Sequence, residues 1–198
     1  MKYAKSAAVE IIDHVKKVVQ EVDVKNVKAL MDDLICAKRV FVYGMGRSGL
    51  IAQAFGMRLA NLNFQVYIVG GVTTPAIEKG DFLFLISGSG NTKSIVMAAK
   101  IAKENGAKVG ALTSNPNSQV AKLTDVFVTI HGRTKEHVED LKKEYLVNQL
   151  RGQHVPYSPL GTLFEDTCLI LLDSAIVQIM HEMGISERDM KKRHTNIE

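Results

Sequence analysis

Phe82-Leu83-Phe84-Leu85-Ile86-Ser87-Gly88-Ser89-Gly90-Asn91-Thr92 is the stretch on which the fold turns. Five apolar residues run into a turn of small and hydroxyl-bearing residues, and Lys93 to Asn105 then carries apolar side chains at helical spacing. An apolar run of this length without alternation predicts a strand buried on both faces, as in a parallel sheet, and the following helix supplies one of the covers. The same order occurs earlier: Val40-Phe41-Val42-Tyr43 reads as a strand, Gly44-Met45-Gly46-Arg47-Ser48-Gly49 as a turn, and Ser48 to Asn61 as a helix. The two units form a weak internal repeat with no low-complexity linker between them.

Outward from these units, Val66 to Val69, Val109 to Leu112 and Val126 to Ile130 are further predicted strands. Residues 4 to 22 and 24 to 37 read as two N-terminal helices. Leu163 to Met183 is so apolar that it reads as a buried helix, part of whose surface is expected to face another subunit. Glu165, Asp166, Asp173 and Gln178 interrupt it, and it lacks the flanks of a membrane span. The expected fold is α/β: a doubly wound, three-layer α-β-α sandwich with a five-stranded parallel sheet and helical N- and C-terminal extensions. One domain spans 1–198: N-terminal helices over 1–37, the sheet core over 38–130, a polar insertion over 131–160, and a C-terminal helix and tail over 161–198. Within the insertion Glu136 to Arg151 reads as a charged helix and His154 to Pro159 as a loop. The tail from Glu187 to Glu198 reads as polar and frayed.

Composition narrows the function. The chain has 198 residues, 46% of them hydrophobic, 23% charged and 6% aromatic, with a net charge of +4. Its apolar residues are too many and too evenly spread for a disordered chain. The two cysteines, Cys36 and Cys168, form neither a disulfide framework nor a metal cluster, and each reads as core filler. With neither a signal peptide nor a membrane span in view, a soluble cytoplasmic protein is the expectation. The basic excess does not point to nucleic acid, because the densest basic run, Lys191-Lys192-Arg193-His194, is short and few aromatics accompany it. The distribution of acids is more telling. Residues 34–77 contain no Asp or Glu, nor do residues 82–103, and these two stretches surround the two turns. That pattern suits a small anion.

Ligands of doubly wound sheets bind beyond the carboxyl ends of the strands, where both turns fall. Ser87, Gly88, Ser89, Gly90, Asn91 and Thr92 suit a phosphate: glycines let the backbone approach, amides gather at a helix N-terminus, and Ser87, Ser89 and Thr92 offer three hydroxyls. A tight turn with Thr92 capping the helix would need only one of them. A nucleotide P-loop is excluded, because Lys93-Ser94 is not preceded by Gly. The first turn matches G-x-G-x-x-G, yet the strand Val66 to Val69 ends in Gly70-Gly71 with no acid before Glu78 to hold a ribose, which argues against a dinucleotide. Arg47 is better placed to meet a substrate's phosphate or hydroxyls, and Thr113 and Ser114 lie at the same sheet edge. In Pro159-Leu160-Gly161-Thr162-Leu163-Phe164-Glu165, Thr162 and Glu165 have the spacing of a capping box. The rival reading makes Glu165 a general base, since a carboxylate opening so apolar a helix is costly to desolvate without a task. Among six histidines, His14 and His181 read as packed or surface residues and His131, His137 and His154 as solvated. His194, taken alone, reads as a surface residue of the tail.

Taken together, the two turns, Thr74-Pro75-Ala76-Ile77, Pro159 to Glu165 and Arg193-His194-Thr195-Asn196-Ile197-Glu198 resemble the sugar isomerase (SIS) domain proteins, over nearly the whole chain and in order. The Gly-Thr-Leu-Phe-Glu stretch and the C-terminus narrow the resemblance to the 6-phospho-3-hexuloisomerases. Two positions depart from the pattern: Asn91, where these proteins often have Glu, and Gly71, where an acid often precedes the Thr-Pro stretch. The resemblance implies isomerisation of 3-hexulose 6-phosphate to fructose 6-phosphate through a cis-enediol, with no metal and no cofactor. It implies Glu165 as the base and His194, from the tail of the same or a neighbouring subunit, as an assistant in ring opening or oxygen protonation. The phosphate falls to Ser87, Ser89 and Thr92, and the sugar side to Gly46, Arg47 and Ser48, with Gly161 and Thr162 close by. A homo-oligomer, dimer or tetramer, with shared active sites is the implied assembly, with no nucleic acid and no membrane as partner. Two alternatives stay open: another phosphosugar aldose-ketose isomerase, acting on arabinose 5-phosphate or a heptose phosphate, and a non-catalytic sugar-phosphate-binding regulator.

Overall fold

A computed structural model describes residues 1–132 and 157–194. The predicted helix at 136–151, the first half of the loop at 154–159 and the last residues from Thr195 lie outside the described residues. Five strands, β1 (Val40–Gly44), β2 (Val66–Ile68), β3 (Phe82–Ile86), β4 (Lys108–Thr113) and β5 (Val126–Thr129), form one sheet in the order β2-β1-β3-β4-β5. Every pairing is parallel. In this order the chain leaves β1 towards β2 on one side and returns to β3 on the other. The topological switch point therefore lies between the carboxyl ends of β1 and β3, which is where the two turns begin.

The unbroken apolar runs are explained by covers on both faces. Along β3, Phe82, Phe84 and Ile86 belong to one core and Leu83 and Leu85 to the other, and every one of them is buried. The first core is closed by helices α2 (Val24–Ile35), α3 (Arg47–Asn61) and α6 (Thr162–Met183), through residues such as Leu34, Phe55, Leu59 and Cys168. The second is closed by α4 (Lys93–Glu104) and the short α5 (Gln119–Leu123), through Ile95, Ala99 and Val120. The N-terminal α1 (Lys2–Glu21) packs on α6, which also packs on α3. The three-layer α/β/α expectation is met, with strand and helix ends shifted by a residue or two.

Three expectations are corrected. Thr162 does not cap α6: Gly161 is the N-cap, at φ +90°, and no side-chain cap hydrogen bond forms there. The tail is not frayed from Glu187, because α7 (Glu187–Lys192) starts on a capping box in which Ser186 and Asp189 satisfy each other's backbone amides. Cys36 is not core filler, since it is exposed at the end of α2, whereas Cys168 is buried in the core. No helix among the described residues is long and apolar enough to cross a membrane. Leu169, Ile170 and Val177 stand exposed on α6, so its apolar surface exceeds what the described residues cover.

Candidate active site

The carboxyl ends of β1 and β3 and the start of α6 enclose a cleft of ≈ 510 Å³. Ser48, Ser87, Gly88, Ser89, Asn91, Thr92, Gly161 and Glu165 line it, together with apolar residues that sequence reading passed over: Met45, Ile86, Ile95, Leu160 and Phe164. Among the described residues Glu165 is the one ionisable side chain in that lining.

The second turn is held from behind, so that its free groups face forward. Ser87 Oγ accepts from the Gly90 amide at 3.2 Å, and Ser89 Oγ accepts from the Asn91 amide at 3.3 Å. Each hydroxyl keeps its own proton to donate. Thr92 occupies the N-cap position of α4 without making a side-chain cap bond, so its hydroxyl is not spent on the helix. From behind, Ser114 Oγ donates to the Gly88 carbonyl at 2.7 Å and Thr113 Oγ1 to the same carbonyl at 3.3 Å. Ser114 thus braces the turn and stands outside the cleft lining. Asn91 Oδ1 accepts from the Gln119 amide at 3.1 Å, and the Gly90 carbonyl from the Val120 amide at 3.0 Å, tying the turn to α5. Gly90, at φ +63°, has no room for a side chain: a Cβ there would meet Ser118 Oγ at 2.1 Å.

The first turn is compact for a similar reason. A Cβ on Gly49 would stand 2.6 Å from the Gly44 carbonyl oxygen, so the glycines of G-x-G-x-x-G let β1 turn directly into α3. Gly46 is the N-cap at φ +59°, and Ser48, buried in the first turn of α3, reaches the cleft wall.

Glu165 lies in the first turn of α6, its carboxylate curled back over Gly161, and its side chain is 13% exposed. Arg47 Nε stands 2.6 Å from Glu165 Oε2, and Arg47 also donates to Asp166 Oδ1 at 3.0 Å. The Arg47–Glu165 approach is an ion pair without hydrogen-bond alignment. Oε2 is the buried side-chain polar atom that lacks a hydrogen-bond partner among the described residues. Burial, and then the Glu165 charge nearby, hold the Cys168 thiol well above its ordinary range, which makes it an inert neighbour and not a nucleophile. No group of three or more His, Cys, Asp or Glu is arranged to hold a metal ion among the described residues.

Of the residues singled out in the sequence, the fold brings Ser48, Ser87, Gly88, Ser89, Asn91, Thr92, Gly161 and Glu165 to one cleft, with Arg47 on Glu165. Gly46, Gly90 and Thr162 lie in the backbone supports behind it. His194 is elsewhere: it is exposed on a separate cleft with Arg58, Asn61 and Asp173. Asp166 was passed over, although its place beside Glu165 and the acid-free run around Arg47 were a usable signal.

Residues 33–146 match the SIS domain, more than half of the chain. The chain belongs to the SIS domain family. Its relatives agree with that membership over nearly their full lengths. An uncharacterized protein of Aeropyrum pernix is 42% identical over 91% of this chain and 85% of its own. A Bacillus subtilis protein named 3-hexulose-6-phosphate isomerase is 36% identical over 85% of this chain and 85% of its own. A crystal structure of a Methanococcus jannaschii protein, for which a molecular function of 3-hexulose-6-phosphate isomerase was inferred, superposes with a TM-score of 0.76. It is 33% identical and covers 100% of both chains. The chain is thus similar both to uncharacterized proteins and to proteins named 3-hexulose-6-phosphate isomerase.

Proposed function

We propose that this SIS domain protein interconverts 3-hexulose 6-phosphate and fructose 6-phosphate by proton transfer through a cis-enediolate. The observation that carries the reading is that a buried carboxylate and a turn with three hydroxyls share one cleft. A phosphate held by the amides at the start of α4 and the hydroxyls of Ser87, Ser89 and Thr92 fixes one end of the sugar. Glu165 then meets the carbons near the other end. It takes the proton from C2 of the 3-ketose, the electron pair moves into the C2–C3 bond, and the C3 carbonyl becomes the enediolate oxygen. Transfer of the O2 proton to the C3 oxygen and return of the first proton to C3 leave a hydroxyl on C3 and the carbonyl at C2. Oxidation state is exchanged between neighbouring carbons of one molecule, so no external electron acceptor enters the balance.

Ser48 holds the sugar side, while Arg47, paired with Glu165 and Asp166 and outside the cleft lining, serves the base and not the sugar. The apolar wall of Met45, Ile86, Ile95, Leu160 and Phe164 limits water around the enediolate. His194 enters this scheme as the group that protonates oxygen, supplied by a neighbouring copy, because in its own chain it faces a different cleft. The exposed apolar residues of α6 support association of that kind.

The assignment is tested by Glu165→Gln, which keeps the shape of the side chain and removes its basicity. Isomerisation is expected to vanish while binding of the sugar phosphate, measured by calorimetry, stays within a few-fold. Retained turnover would remove Glu165 from the role of base. Deleting residues from Lys191 onward tests His194: a sharp fall in turnover is expected, and an unchanged rate would return it to the surface.

A further inference from the structure

Arg47 is placed between two consecutive acids of another helix. Its Nε faces Glu165 Oε2 at 2.6 Å and its NH2 group donates to Asp166 Oδ1 at 3.0 Å. The sequence around Arg47 leaves it no local alternative, since residues 34–77 hold no acid. Further along α3 a second arginine faces an acid of α6: Arg58 Nε stands 3.9 Å from Asp173 Oδ1. Asp166 lies one residue past the first turn of α6, near enough to the helix start for an acid to be tolerated without any partner, so its position alone marks nothing. What marks it is the shared guanidinium.

A planar guanidinium held at one edge has little freedom at the other. With NH2 bonded to Asp166, the Nε side is presented to Glu165 as a charge, while its N–H is not aligned on Oε2. The half-buried carboxylate thereby gains at Oε2 the counter-charge that its desolvation demands, and because Oε2 is itself buried, Oε1 is the oxygen left to the substrate. A general base needs both properties: compensation of its charge and an oxygen not already occupied by a donor.

We propose that Asp166 is a positioning residue, which holds Arg47 so that Glu165 is charge-compensated yet open to accept the substrate proton. This rests on Glu165 being the base. Asp166 does not line the cleft, and its side-chain partner among the described residues is Arg47. Its loss is therefore expected in the chemical step and not in affinity.

The test combines Glu165→Gln, Asp166→Asn, Asp166→Glu and Arg47→Lys in a steady-state assay of fructose 6-phosphate formation. Asp166→Asn is expected to lower kcat about tenfold, leaving KM and the inhibition constant of inorganic phosphate within about two-fold. Asp166→Glu, which can still reach the guanidinium, is expected to recover part of the rate. Arg47→Lys removes the fork, so adding Asp166→Asn to it should cost nothing further. An unchanged kcat in Asp166→Asn beside an inactive Glu165→Gln overturns the positioning role alone. Additive losses in the Arg47→Lys background overturn it as well, and this comparison serves even where the single variant is less stable. Turnover retained in Glu165→Gln overturns the base assignment and the positioning role with it.

Discussion

Gly88 of the phosphate turn lies against the ring of Phe164, the residue that precedes Glu165: a Cβ built on Gly88 would stand 3.3 Å from Phe164 Cδ1. On its other side Phe164 is closed in by Gly132, where a Cβ would come within 2.6 Å of Phe164 Cβ. Phe164 is itself buried and cannot easily retreat. The turn that would hold phosphate and the carboxylate that would move protons are thus spaced by one packed ring. Gly88→Ala is expected to shift that spacing and lower kcat by about tenfold or more, since a displacement of ~1 Å can cost ~100-fold. The same substitution should lower thermal stability only modestly, so kinetics and a melting curve measured together separate the two effects.

The hydroxyls of the turn make a second prediction. Ser89 and Thr92 are not spent on caps, so their removal should be felt by ligand and barely by fold. A hydrogen bond to a charged group is worth roughly 1.5–3 kcal/mol. Ser89→Ala or Thr92→Ala should therefore raise KM, and the inhibition constant of inorganic phosphate, by about tenfold to a hundredfold. Inhibition by phosphate that is equally strong in both variants would place the anion elsewhere.

At the opposite edge of the sheet the acids missing around the turns reappear in structural roles. Asp81, buried ahead of β3, accepts from Arg39 Nε at 2.9 Å, Arg39 NH2 at 2.6 Å and the Glu78 amide at 2.8 Å. Burial pushes its carboxyl up, but these donors outweigh burial and hold it below the ordinary value of 3.8. Asp125 is likewise lowered, its burial outweighed by Lys103 and the Val109 amide. A carboxylate whose folded value is depressed contributes stability that is complete above the unfolded value and is lost as pH falls through the folded one. The chain should therefore hold its stability down to near pH 4 as far as these two groups are concerned, and lose it below. Asp81→Asn breaks a buried pair and should cost about 3 kcal/mol, read from urea unfolding at neutral pH. Its acid sensitivity should be smaller than that of the unsubstituted protein.

Glu10 ties the N-terminal helix to the approach of α6. It accepts from the Tyr157 amide at 2.8 Å and from Ser158 Oγ at 2.7 Å, just ahead of Leu160 and Gly161 in the cleft wall. Glu10→Ala should loosen this wall. Amide exchange should quicken over residues 157–165 more than elsewhere, and kcat should fall severalfold.

Much of this arrangement was readable from residues alone. The apolar run Phe82–Ile86 between two turn-rich stretches announced a doubly covered parallel strand, and the sheet followed. The five-residue α5 escaped notice because it is too short to show a period, and its start is fixed by the Ser118 side chain bonding to the Ala121 amide. The helix α7 did carry a sequence signal, Ser186 three residues before Asp189, but its polar composition reads as tail. Glu165 stood out because a carboxylate in an apolar helix is costly. Asp166 did not, because what distinguishes it is its bond to Arg47, a contact of the tertiary fold. The position of His194 away from Glu165 is likewise a product of how α7 folds back beside α6.

The most direct test is a coupled assay of fructose 6-phosphate formation from 3-hexulose 6-phosphate by the purified chain, run beside arabinose 5-phosphate as the competing substrate. Rapid formation of fructose 6-phosphate with little turnover of arabinose 5-phosphate is the predicted result. No fructose 6-phosphate from a folded, phosphate-binding protein, or a clear preference for the pentose phosphate, would contradict the account.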